Sequence, residues 1–78
     1  MNRSINIIAK EIKNDWKNVW FGAKPYLSAM STLIDINDNY GCDDARTIII
    51  YFLSNAVTWK GETARRVKAE LKQMLKTN

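Results

Sequence analysis

A chain of 78 residues, 46% hydrophobic and 26% charged, with a net charge of +4, has room for one small domain over residues 1–78 and hides only about 60% of the surface that its unfolded form exposes. A single cysteine, Cys42, and the lack of any histidine exclude an internal disulfide, the usual zinc ligand sets and Ser-His or Cys-His catalysis. No catalytic, cofactor-binding or metal-ligating residue is therefore assigned. The opening stretch MNRSINIIAKEIK carries charges every few residues, unlike a secretory leader or a membrane span, so a cytoplasmic protein with no membrane partner is expected.

Four segments have the apolar spacing of amphipathic helices. In the first, Ile5, Ile8, Ile12, Trp16 and Val19 line one stripe that begins after Ser4, a suitable N-cap, and is stopped by Gly22. The second starts around Pro25, which is tolerated in a first turn, and gathers Tyr26, Leu27, Met30, Leu33 and Ile34 within about 120° of one another. It ends near NDNYG, where asparagines and Gly41 supply turn chemistry.

The third opens at Asp43 or Asp44, acidic side chains suited to a helix N-terminus. Its run ARTIIIYFLSNAV is apolar over roughly 200° and should be the central helix. Ile48 to Leu53 also reads locally as a strand, but the flanking periodicity favours helix. The fourth follows Gly61, with Ala64, Val67, Leu71, Met74 and Leu75 as its inward stripe. The predicted fold class is all-α, a compact bundle of three to four helices.

Charge is distributed unevenly along the chain. Residues 60–78 carry +4, residues 21–59 carry −2 and residues 1–20 carry +2, so one end of the molecule should have a positive potential. On the fourth helix Arg66 stands four residues from both Glu62 and Glu70, and local pairing is expected of it. Arg65, Lys68, Lys72 and Lys76 instead share a stripe about 80° wide with no acid in it, where like charges repel by a few tenths of a kcal/mol per pair. Such a stripe is either a solvated face whose lysine stems cover the core edge or a surface for an anionic partner, phosphate backbone or acidic protein. A helix-turn-helix is one form of the second reading. Gly61 would be its turn glycine, and Glu62, Thr63, Arg65 and Arg66 would stand near the start of a recognition helix. Glu70 departs from that pattern, falling where an apolar residue is usual.

Asp35, Asn37 and Asn39 imitate the first ligands of a calcium loop, but Tyr40 stands at the glycine position and Arg46 at the bidentate glutamate. These acids are read as caps and turn formers. The aromatic load of Trp16, Trp20, Phe21, Tyr26 and Trp59 either packs around the junction of the first two helices or leaves Trp20, Phe21, Tyr26 and Trp59 as an anchor for a protein partner. Ile7 points away from the stripe of the first helix, Ile50 and Tyr51 lie at the edges of the apolar arc of the third, and together they would suit a homodimer seam.

At DWKNVWFGAKPYLSAM and YFLSNAVTWKGETARRVKAEL, and across roughly residues 14–75, the chain resembles small proteins of temperate phages and prophages of low-GC Gram-positive bacteria. The resemblance carries over no site residue. It implies a context, a short phage protein that acts by binding a host or phage component. The expected function is thus a non-enzymatic binding protein that engages a host or phage protein, in one form modulating host replication or defence. The alternative is a DNA-binding accessory protein using the segment from Ser54 to Lys72.

Overall fold

The structure, a computed structural model, describes residues 3–76. Helix α1 (Ile5–Asp15) begins after Ser4, whose backbone is extended as an N-cap requires, but the serine side chain makes no capping bond. The first free N–H groups are satisfied from a distance. Ile5 N donates to Ile34 O at 2.9 Å and Asn6 N to Leu33 O at 2.8 Å, so the chain leaving the second helix caps the first.

The α1 stripe does not run on to Val19. The helix stops at Asp15, and Trp16 leaves helical geometry with ψ 89, in a stretch where Asn14, Asp15 and Asn18 have low helix propensity. Trp16 is nevertheless buried, because its ring is placed by tertiary contacts. A single 3-10 turn (Phe21–Ala23) leads into α2 (Lys24–Met30), with Pro25 in its first turn. Gly22 therefore does not terminate α1. A Cβ on it would lie 2.6 Å from Trp20 Nε1 and 2.9 Å from Asn55 Oδ1, so its smallness admits the Trp20 indole.

Helix α2 is shorter than its apolar spacing suggests. Ser31 and Thr32 turn their hydroxyls back to Leu27 O at 3.0 Å and Ala29 O at 2.8 Å, which draws the carbonyls of the last turn away from further helix. Once the helical period is lost, Leu33 stays buried and Ile34 emerges, 63% exposed.

The expectation of a purely all-α chain is corrected at the next segment. Strands β1 (Asn39–Tyr40) and β2 (Asp43–Asp44) form an antiparallel hairpin, Asn39 opposite Asp44 and Tyr40 opposite Asp43. Gly41 supplies φ +62 at the first loop position, where a tight hairpin turn favours glycine. The architecture is mainly helical with this one small sheet among the described residues. Around the hairpin the acids are turn formers, as expected. Asp38 Oδ2 accepts from Ile34 N at 2.9 Å and Asp35 N at 3.0 Å, and Asp35 Oδ1 from Asn37 N at 2.9 Å.

Asp44 then caps α3 (Ala45–Ser54) by accepting from Thr47 N at 2.8 Å. This helix buries Ala45, Ile48, Ile49 and Phe52 and packs on α2 and on α4 (Glu62–Lys76). Helix α4 turns Ala64, Val67, Leu71 and Met74 inward and also packs on α1. One apolar cluster joins all four helices. No helix among the described residues is long and apolar enough to cross a membrane.

Ion pairs fasten α4 to α1 and correct the local role expected of Arg66. Arg66 pairs with Glu11 of α1, and Arg3 grips Glu70 through Nε at 3.1 Å and Nη2 at 2.6 Å while its Nη1 reaches Glu11 at 2.8 Å. Glu70, the residue that did not fit a helix-turn-helix, is thus held by a two-pronged guanidinium. Arg3 holds the Glu70 carboxyl below the ordinary value of 4.5, and Arg66, then Arg3, do the same for Glu11. A carboxylate with a depressed folded value adds stability that is complete above its unfolded value and is lost as pH falls through the folded one. The urea midpoint should therefore fall as pH drops below the ordinary carboxylate range, and Arg3→Ala should flatten that fall. An unchanged slope in the variant would show that the network is energetically idle.

Candidate anion-binding groove and aromatic patch

The predicted cationic stripe lies along the start and outer side of α4, where the loop from α3 joins. Trp59, at the end of that loop, is 2% exposed. It stacks on Trp16 (centroids 5.8 Å apart, planes at 12°) and meets Phe52 edge-on at 6.5 Å. Its indole Nε1 donates to Asp15 Oδ2 at 2.8 Å. Trp59 is accordingly not part of an exposed anchor, because two rings and a hydrogen bond hold it in the core.

Above it, Lys68 is half-buried. Its Nζ donates to Trp59 O at 2.7 Å and stands 5.9 Å from the centroid of the indole ring. Burial lowers the Lys68 ammonium from its ordinary value of 10.5, and the charges of Lys72 and Lys60 lower it further. An ammonium has three donors, so one is used internally and two are left. The groove beside it, about 350 Å³, is lined by Val57, Lys60, Gly61, Arg65 and Lys68 with Trp59 and Ala64 beneath, and no acid lines it.

Of the predicted stripe, the structure brings Arg65 and Lys68 to this groove. Lys72 is near enough to Lys68 to act on its charge, and both Lys72 and Lys76 are exposed further along α4. Sequence reasoning missed Lys60. It stands in the loop, where helical periodicity gives no angle. Its place within TWKGE, directly before the turn glycine Gly61, was the only available signal.

The helix-turn-helix expectation is corrected by spacing and by charge. Residues 55–61 separate α3 from α4, longer than the three- to four-residue turn of that motif. Arg66, a presumed reader, is held by Glu11.

The aromatic patch is divided. Trp20 and Phe21 stay together at the surface, 48% and 70% exposed, with ring centroids 4.5 Å apart. Tyr26 is half-buried and stacks on Tyr51 at 5.5 Å. It lines a different pocket, of about 140 Å³, with Tyr40, Asp43 and Tyr51. Trp20 borders a shallow pocket of about 200 Å³ with Ser54, Asn55, Val57 and Thr58. The suggested seam residues Ile7, Ile50 and Tyr51 are each about half-exposed.

Comparison with known protein families, with curated proteins and with solved structures finds no match.

Proposed function

We propose that the protein is a non-enzymatic binding protein that engages an anionic macromolecule through the groove formed by Lys60, Arg65 and Lys68, with Lys72 and Lys76 extending the same face. In the phage setting that the resemblance implies, this macromolecule is a host or phage component.

One observation carries the reading. Three cations converge on an acid-free concavity, and one of them, Lys68, is anchored over a core tryptophan. A lysine that merely solubilises a helix extends its ammonium into water. Lys68 instead gives up hydration and sits among like charges, an arrangement that an incoming anion relieves. Its side-chain freedom is already spent in the empty protein, which lowers the cost of binding.

Retention on immobilised heparin tests the reading. The variant Lys60→Ala/Arg65→Ala/Lys72→Ala leaves Lys68 and its internal bond in place. Wild type should elute at clearly higher salt, with roughly tenfold or greater loss of heparin affinity in the variant near 0.1 M salt. Equal elution of the two would remove the groove as a binding surface.

A further inference from the structure

We infer that the anionic partner is single-stranded nucleic acid, whose bases stack on Trp20 and Phe21 while its phosphates follow the groove of Lys60, Arg65 and Lys68. This rests on the proposed function and names the ligand of the same site.

The aromatic pair and the cationic groove belong to one surface. Val57, 68% exposed, borders both the pocket of Trp20 and the groove of Arg65 and Lys68. A strand crossing Val57 therefore meets rings on one side and cations on the other, the combination by which single strands are held without sequence preference. The Trp20 indole is positioned rather than loose. It lies over Gly22, where even a methyl group would collide with it, and beside the Asn55 amide. Two large rings left in water are a cost that the fold itself does not require, because the core already has Trp16, Phe52 and Trp59.

Two of the three polar side chains that line the Trp20 pocket, Ser54 and Asn55 but not Thr58, already make internal hydrogen bonds. Ser54 Oγ donates to Ile50 O at 3.0 Å and Asn55 Nδ2 to Tyr51 O at 2.8 Å. Few donors are left for base edges, so recognition should depend on stacking and charge more than on sequence. Duplex DNA hides its base faces and offers nothing to Trp20. An acidic protein would satisfy the cations but would need its own apolar cover for the rings.

Intrinsic fluorescence tests this directly, because Trp16 and Trp59 are buried against each other and Trp20 is the exposed indole. Titration with a twelve-nucleotide oligothymidine should quench Trp20. At low salt the oligomer should bind roughly tenfold tighter than a duplex with as many phosphates. Trp20→Ala should weaken oligothymidine binding roughly tenfold while leaving heparin retention unchanged, and Trp20→Phe should keep the affinity, since a ring is retained. Phe21→Ala, at the more exposed ring, gives a second reading should Trp20→Ala fold poorly. Lys60→Ala/Arg65→Ala should reduce the slope of log affinity against log salt by about 1.4, two contacts at about 0.7 each.

Equal binding of oligomer and duplex with no quenching would overturn the inference while heparin retention kept the groove itself. Tighter binding of poly-glutamate than of oligothymidine would overturn it in favour of an acidic protein. No binding of heparin or oligothymidine at low salt would remove both readings.

Discussion

Replacing Trp59 by alanine should unfold the protein at room temperature. The ring fills the space between Trp16 and Phe52 at the junction of α1, α3 and α4, and removing a large buried aromatic costs about 3–5 kcal/mol. A chain of this size has only a few kcal/mol in total. Two further losses follow, since Asp15 is deprived of its indole donor and Lys68 of the ring beneath its ammonium. Trp59→Phe keeps most of the volume but not the hydrogen bond, and should give a folded protein of reduced stability. Urea denaturation followed by far-UV circular dichroism decides the matter. A cooperative wild-type-like transition for Trp59→Ala would show that the aromatic cluster is not the centre of the core.

Gly61→Ala should lower stability by about 1–3 kcal/mol through backbone strain alone. Gly61 holds φ +111, a value that L-residues avoid, yet a Cβ there would have no atom within 4 Å. Steric collision and torsional cost are thus separated at this position. The glycine carbonyl accepts from Arg65 N at 3.0 Å, so it sets both the entry into α4 and the placing of Arg65 at the groove. In a domain of this size the melting temperature should fall by roughly 4–8 °C for each kcal/mol lost. A chemically synthesised chain with D-alanine at 61, for which positive φ is the natural region, should recover the loss. If D-alanine and L-alanine destabilise equally, torsion is not the cause.

The four helices were legible because each buries a stripe of apolar residues at helical spacing, and α4 follows its predicted stripe through Ala64, Val67, Leu71 and Met74. Helix ends were less legible. Trp16 and Leu33 fall on a helical stripe yet reach the core after their helices have stopped, because burial does not reveal which backbone conformation delivers it. The hairpin of Asn39–Tyr40 and Asp43–Asp44 escaped notice since its residues are polar and exposed and carry no alternation. At the site, Arg65 and Lys68 could be placed on one face from sequence. The internal bond of Lys68, the arrival of Lys60 and the pairing of Arg66 with Glu11 depend on contacts between segments far apart in the chain or off the helix, which periodicity cannot describe. Trp59 looked like Trp20 in sequence, and only packing separates the two.

Lys68 connects two properties that are usually separate. Its backbone belongs to α4, its ammonium is tied to the carbonyl of a core tryptophan, and its charge is crowded by Lys60 and Lys72. Any anion that settles there acts on the folded chain and has no equivalent site on the unfolded one, so occupancy and folding are coupled by mass action. At a hundred times its dissociation constant such a ligand adds about 2.7 kcal/mol, a large fraction of what a 78-residue chain can muster alone. The protein would then be held together in part by what it holds.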